Sequence, residues 1–385
     1  MANDNGSIKL VEIANKGRAM VSSRPLKGGE IVLRDSPIVL YSAVPHGGAN
    51  YCGHCCRTIL PHSPTLVSCP NCSTASIFCS PDCRSAALST SHTQFVCQAL
   101  SRLRSGDSPA IDHDRLLQAR FLVSAYNLAT VAPPDFRTLL SLQGEAFIDD
   151  ASVFLHSLIS SILPAASNLG QFGFSVELTS ALLAKDKVNA FGLMEPFEQG
   201  KERSVRAYGI YPRASFFNHD CLPNACRFDY VDSKSEFRNT DMVVRVIHDL
   251  PAGREICLSY FPVNLKYAER QKRLKEDYDF TCNCDRCKVE ANWSDNDDDG
   301  EGGVSEVDED MDEDVADDLE AEDCDNVGNG NDDFPHAYFF VRYMCGRDDC
   351  GGTLAPLPAA DSRGSTVMEC NVCGNLSECD GMDGN

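Results

Sequence analysis

Cysteine constrains this chain more than any other residue type: 385 residues carry 20 cysteines, and most stand in close groups. Cys52/Cys55, Cys69/Cys72, Cys79/Cys83, Cys282/Cys284/Cys287, Cys345/Cys350 and Cys370/Cys373 are separated by one to four residues. At that spacing two sulfurs on one tight turn reach a common tetrahedral ion. Thiols scattered for core packing would not pair this way. A disulfide framework belongs to an oxidising compartment, and the polar start Met1–Leu10 lacks the basic-then-apolar pattern that would send the chain there. The groups are read as zinc knuckles of reduced thiolates. Cys56, Cys226, Cys257, Cys324 and Cys379 fall outside them and are expected to be free thiols.

The rest of the composition is that of a globular protein, 43% hydrophobic and 24% charged. No run approaches the ~18 to 20 apolar residues of a membrane helix, so neither a secreted nor a membrane-spanning protein is expected. The net charge of −23 is local. Of 57 acidic residues, 20 lie between Asp295 and Asp333 with no Lys or Arg among them; elsewhere 37 acidic residues face 34 basic ones. That segment cannot bury apolar area or tolerate its own repulsion when compact, so residues 291–333 are expected to form a disordered acidic linker. A near-neutral remainder supplies no basic face for nucleic acid, and direct DNA binding is not expected.

Around the cysteines the pattern reads as strands, then helices, then strands. IKLVEI from Ile8, AMVSS from Ala19 and the run of residues 30–42 read as short strands. Helical spacing follows over 112–129, 147–163 and 176–188, strands return at MVVRVIHDL and EICLSYF, and a charged helix spans 265–276. The first cysteine cluster offers eight ligands for two ions. Alternate pairing gives Cys52, Cys55, Cys79 and Cys83 to one and Cys69, Cys72, His92 and Cys97 to the other, with His54 and Cys56 competing by position. A segment this short and poor in large apolar residues needs metal to fold. Cys282, Cys284 and Cys287 lack a fourth partner, for which Cys221 is the candidate; Cys345, Cys350, Cys370 and Cys373 read as a zinc ribbon with turns at Gly351, Gly352 and Gly374. Three zinc sites are thus expected, and a fourth completes the set.

The first cluster resembles the MYND zinc finger, with four rather than three residues between His92 and Cys97. Six further motifs in order resemble the SET-domain lysine methyltransferases of the SMYD type, nearest the plant ASHR-like branch. They are Lys16-Gly17-Arg18, Val188-Asn189-Ala190-Phe191, Gly209-Ile210-Tyr211-Pro212, Asn218-His219-Asp220-Cys221-Leu222-Pro223-Asn224, Gly253-Arg254-Glu255-Ile256-Cys257-Leu258-Ser259-Tyr260 and the segment from Tyr278 to Cys287. The resemblance covers Ile8 to about Lys288. It implies an α+β, β-rich SET fold: 1–50 its first part, 51–97 an inserted MYND finger, 98–188 a helical insert, 189–264 the SET core and 265–290 a zinc-bound post-SET segment. The linker at 291–333 and a zinc-ribbon-like module at 334–385 follow.

The same resemblance implies a chemistry: transfer of methyl from S-adenosylmethionine to a lysine amine of a histone or another protein. Lys16, Gly17, Arg18, Asn189, Asn218, His219 and Tyr260 would contact the cofactor, and Phe280 would stack on its adenine. Tyr260 would place its hydroxyl at the transfer point and Tyr278 would wall the lysine channel, while Cys221 would join Cys282, Cys284 and Cys287 on one structural zinc. A neutral amine attacking an activated methyl needs alignment more than a strong base. Three positions depart from the family pattern: Ala19 for a second Gly, Asp220 for Ser, and Arg254 for an acidic residue. The implied partners are a protein with an exposed lysine and a peptide docked on the finger, in nucleus or cytoplasm; the rival reading is a SET/MYND interaction scaffold with weak transfer.

Overall fold

The computed structural model describes residues 6–44, 50–60, 62–104, 111–163, 173–233, 238–292, 337–358 and 365–378. From residue 293 the expected acidic linker, with Cys324, lies outside the described residues, as does Cys379.

Strands β1 (Ile8–Ile13) and β2 (Gly17–Ser22) form an antiparallel hairpin from Ile8↔Ser22 to Ile13↔Gly17. The single run expected over 30–42 is two strands, β3 (Ile31–Asp35) and β4 (Val39–Ser42). Pro37 lies between them and has no N–H with which to continue a ladder. In the finger, β5 (Val67–Cys69) and β6 (Ser73–Phe78) lead into α1 (Pro81–Ser89), where Ser80 accepts from the Cys83 N–H. The insert holds α2 (Gln94–Arg104), α3 (His113–Val131), α4 (Pro133–Ser141), α5 (Asp150–Ile162) and α6 (Val176–Asn189). Helix α2 runs straight across residues 97 and 98, so Cys97 sits on an element shared by finger and insert. Helix α5 starts at Asp150 rather than 147, because Asp149 and Ser152 close a capping box there.

The remaining elements are β7 (Ala190–Met194), β8 (Val205–Ile210), β9 (Asn218–His219), β10 (Ala225–Asp229), β11 (Met242–Val246), β12 (Cys257–Leu258), α7 (Tyr267–Tyr278), α8 (Asp285–Glu290), α9 (Ala337–Tyr343), β13 (Leu354–Pro356), β14 (Val367–Cys370) and β15 (Leu376–Glu378). They build small sheets in the orders β4-β8-β7, β10-β11-β3 and β13-β14-β15, with β9 and β12 paired parallel. This mixture of small sheets and a helical insert is the expected α+β architecture. The insert packs Phe121, Leu122, Leu139, Leu155 and Leu182 against Val39, Tyr41 and Ile210 of the β4-β8-β7 sheet. A second core under β11 gathers Met20, Leu33, Phe217, Val244 and Ile256. A third core joins the C-terminal module to the SET sheet: Tyr343, Leu354, Ala355 and Met368 pack on Phe228, Val243 and Ile247.

A buried polar pair joins the insert to β4. Tyr41 Oη donates to Asp186 Oδ1 at 2.7 Å, and burial pushes the Asp186 carboxyl up from 3.8 to about 7. A folded-state value raised this way favours the protonated fold, so the contribution is fully present below about pH 4 and is lost as pH rises towards 7. The thermal midpoint is therefore expected to fall between pH 5 and pH 7.5, and Asp186→Asn to flatten that fall. Parallel profiles for the two proteins would refute the assignment.

Candidate active site and zinc clusters

Four groups of side chains converge: Cys52, Cys55, Cys79 and Cys83; Cys69, Cys72, His92 and Cys97; Cys221, Cys282, Cys284 and Cys287; Cys345, Cys350, Cys370 and Cys373. Within each, the potential ligand atoms lie within 4.8 Å of one another. Typical separations are Cys79 to Cys83 at 3.5 Å, Cys72 Sγ to His92 Nε2 at 3.4 Å, Cys221 to Cys287 at 3.5 Å and Cys350 to Cys370 at 3.6 Å. Four thiolates, or three thiolates and the His92 imidazole, this close together fit zinc and fill its usual four positions with protein ligands, so these sites are structural. His54 stands apart with its Nδ1 at 3.3 Å from Ser91 Oγ, and Cys56 is buried outside both groups of the finger. Gly352 serves close approach rather than a turn, since a Cβ there would collide with Cys370 Sγ; Gly351 and Gly374 have the positive φ of turn glycines, 58° and 67°.

The finger is pinned to the SET sheet. Arg206 on β8, completely buried, donates to the Cys56 carbonyl at 2.9 Å and pairs with Asp232 at 3.0 Å. Asp232 accepts from the Thr58 N–H and hydroxyl, and Asn239 Nδ2 donates to the Cys55 carbonyl at 2.8 Å. The knuckle's own backbone groups are thus satisfied by SET residues.

Beside the β9–β12 pairing lies a cavity of about 570 Å³, within the usual range for a small-molecule site. Lys16, Gly17, Arg18, Asn189, Asn218, His219, Tyr260, Tyr278 and Phe280 all line it. A larger groove of about 790 Å³ between finger and α3 holds none of these nine. Their placement follows from local structure. Gly17, at φ 72°, turns the hairpin so that Lys16 and Arg18 flank it. The parallel pairing Leu258↔His219 brings Asn218 and His219 beside Tyr260. Helix α7 ends at Asp279 in the left-handed conformation, φ 59°, carrying Tyr278 and Phe280 to the cavity wall.

Lys16 Nζ pairs with Glu255 Oε2 at 2.6 Å, which holds the ammonium above its ordinary value, and Asn218 Nδ2 donates to Glu255 Oε1 at 2.9 Å. Arg18 donates to the Ser141 carbonyl at 2.7 Å and lies 4.7 Å over the Phe216 ring. Asn189 Nδ2 donates to the carbonyls of Gln143 and Lys185, each at 2.8 Å. Tyr260 Oη donates to the Phe217 carbonyl at 3.0 Å, and its ring centroid stands 4.8 Å from that of Tyr278. Burial pushes both phenols above their ordinary value, so both are neutral. Burial pushes His219 down to about 4, leaving a neutral imidazole.

The three departures are now placed. Ala19 is buried within β2 and does not line the cavity. Asp220 accepts from the Leu222 N–H at 2.9 Å, the local turn bond that a serine hydroxyl makes more weakly, and burial pushes its carboxyl up to about 6. Arg254 is exposed on the turn after Pro251. Sequence reasoning missed Glu255 as the link between Lys16 and Asn218, and it missed Gln143, Ser215, Phe216 and Asn283 in the cavity wall. Gln143 follows α4, whose only sequence signal is the helix-opening pair Pro133-Pro134.

A family model described as the SET domain matches residues 17–261. The histone-lysine N-methyltransferase ASHR2 of Arabidopsis thaliana is 50% identical over 98% of this chain and 98% of its own length. The mouse histone-lysine N-methyltransferase SMYD3 is 25% identical over 72% of this chain and 60% of its own. The protein-lysine N-trimethyltransferase SMYD5 of Gallus gallus is 24% identical over 76% of this chain and 89% of its own.

Proposed function

The chain belongs to the SET-domain family, in its ASHR and SMYD branch, and is an S-adenosylmethionine-dependent protein-lysine methyltransferase; we propose that the cavity bounded by Lys16, Asn218 and Tyr260 is where it methylates a lysine of a histone. The observation that carries the site is the convergence of all nine residues selected from the sequence on one cavity. Its donor set suits the cofactor: cationic Lys16 and Arg18 for a carboxylate, the amides of Asn189 and Asn218 for polar edges, and the partly exposed Phe280 ring for a base. A side chain at Gly17 would project where no protein atom lies within 4 Å, so glycine leaves that space to a ligand.

When bound, S-adenosylmethionine supplies a methyl already activated by a sulfonium. The protein's own contribution is alignment and desolvation. Tyr260 directs its O–H at the Phe217 carbonyl, which fixes the phenol and leaves the oxygen's lone pairs to accept from the substrate amine or methyl. Tyr278, packed on Tyr260, narrows the approach and disfavours an ammonium there, so the lysine enters neutral. Neither phenol is ionised, and neither acts as a strong base.

The finger acts as a brace in this reading, because its knuckle is bonded into β8 and the β10–β11 connection; a peptide docked on its outer face is compatible with that. Histone substrates place the action in the nucleus, and a cytosolic substrate would place it in the cytoplasm. The test is transfer of labelled methyl to core histones and, in parallel, to a cell extract. Label on histones is expected. Label confined to another protein would reassign the substrate, and no label from folded, zinc-loaded protein would overturn the reading.

A further inference from the structure

Where the finger, the insert and the β4-β8-β7 sheet meet lies a smaller cavity of about 150 Å³, which shares no lining residue with the cofactor cavity. Three cations line it: Arg104 at the end of α2, Arg120 on α3 and Arg206 on β8. No Asp or Glu is among the described residues that line it. Arg120 is fixed in the wall, since its Nη1 donates to the carbonyls of Ser42 at 3.0 Å and Val44 at 2.5 Å. Burial, and then the Arg104 charge, push the Arg120 guanidinium down to about 10, so the two cations stand close enough to repel. Arg206 is 2% exposed; its Nη1 is taken by the Cys56 carbonyl and Asp232, but its Nε has no hydrogen-bond partner among the described residues. A buried N–H without an acceptor is costly, and here it belongs to a residue of the same cationic wall.

We propose that this cavity is a binding site for a small tetrahedral oxyanion of the phosphate class, held by Arg104, Arg120 and Arg206 between the finger and the insert. Size selects the ligand. The space is several times the ~30 Å³ share of one water, yet well below the roughly 300 Å³ at which pockets for organic ligands begin. Charge selects it too, because planar guanidinium forks match the oxygens of phosphate and no carboxylate competes in the lining. Arg104 is exposed and stands at the end of its helix, so the anion has a way in. Once bound, the ion offsets the repulsion between α2 and α3 and joins both helices to the strand that carries the finger's knuckle. It is therefore a stabilising ligand of the finger–insert junction, independent of methyl transfer.

The test is calorimetric titration of the full-length, zinc-loaded protein with inorganic phosphate, at an ionic strength held constant with sodium chloride, beside the thermal midpoint. Saturable binding of a single phosphate and a rising midpoint are expected. Arg104→Gln, at an exposed position that the fold does not need, should weaken phosphate binding at least about tenfold with zinc content unchanged. Arg18→Gln, in the cofactor cavity, should leave phosphate affinity within about twofold of wild type. Phenyl phosphate, which carries the same group on a body too large for the space, is expected not to displace the ion. A midpoint that follows ionic strength alone would overturn the proposal. Loss of binding in Arg18→Gln but not in Arg104→Gln would move the anion to the cofactor cavity. Displacement by phenyl phosphate would place it on the open surface, and the cavity would not be its site. If Arg104→Gln binds phosphate as wild type does but loses zinc, Arg104 is only a counter-charge to the neighbouring zinc–thiolate cluster and the proposal is wrong.

Discussion

Tyr260→Phe is expected to lower kcat by about 10²-fold while leaving the dissociation constant for S-adenosylmethionine within about twofold of wild type. The substitution removes one oxygen and nothing else. The ring keeps its packing against Tyr278 and His219, and its backbone N–H still donates to His219 Nδ1. What disappears is the hydroxyl fixed on the Phe217 carbonyl. A preorganised polar atom where charge is redistributed is worth roughly this much when it is deleted from a site that excludes water. Single-turnover transfer of labelled methyl with saturating cofactor, beside calorimetric titration of cofactor, separates the steps. Loss of cofactor binding in proportion to activity would mean that Tyr260 only shapes the cavity. Unchanged kcat would remove it from the transfer point.

The same variant is informative because the residues around it differ in how readable they were. Cysteine ligands are legible because zinc demands short-range spacing, and short-range spacing survives in one dimension. Asn218, His219 and Tyr260 are legible only as motifs; nothing in periodicity brings residue 219 to residue 258. The parallel β9–β12 pairing that does so is two residues long on each side, too short for any strand pattern. Glu255 was visible as part of a motif, yet its role in clamping Lys16 to Asn218 depends on a 239-residue separation closing in space. Helix α4 broke the periodicity reading because only Phe136 and Leu139 of its nine residues are buried. The wall that Gln143 contributes was lost with it.

The finger and the C-terminal module show a second kind of illegibility. Both read from sequence as separate zinc units, because their ligands are local. In the fold each is held by a buried arginine on a SET strand, Arg206 on β8 for the finger and Arg245 on β11 for the module. An arginine on a strand reads as a solvent-facing position, and the carboxylate that permits its burial lies outside that strand, 26 residues on for Arg206. For Arg245 it lies 124 residues away, beyond the acidic segment. Zinc thus folds each unit locally, and the ion pairs fix where it sits.

Glu369→Ala is accordingly expected to cost about 3 to 5 kcal/mol of folding free energy, far more than loss of a surface salt bridge. Arg245 has no exposed surface; its Nη2 pairs with Glu369 at 2.5 Å and contacts the Tyr230 hydroxyl at 2.9 Å. Its guanidinium also lies 3.7 Å over the Phe228 ring and donates to the Pro356 carbonyl, and its Nε already finds no partner among the described residues. Removing the carboxylate leaves a full positive charge in the core that joins module to sheet. That charge can be relieved only by admitting water or undocking β13–β15. Arg245→Met combined with Glu369→Leu should recover most of the loss, since two apolar side chains replace a desolvated pair at little net cost. Equilibrium denaturation of the three proteins, with zinc content measured on each, decides the matter. A cost below about 1 kcal/mol for Glu369→Ala would place the pair in effective contact with solvent. A double variant no better than the single would mean that packing around Phe228, not uncompensated charge, is what the module depends on.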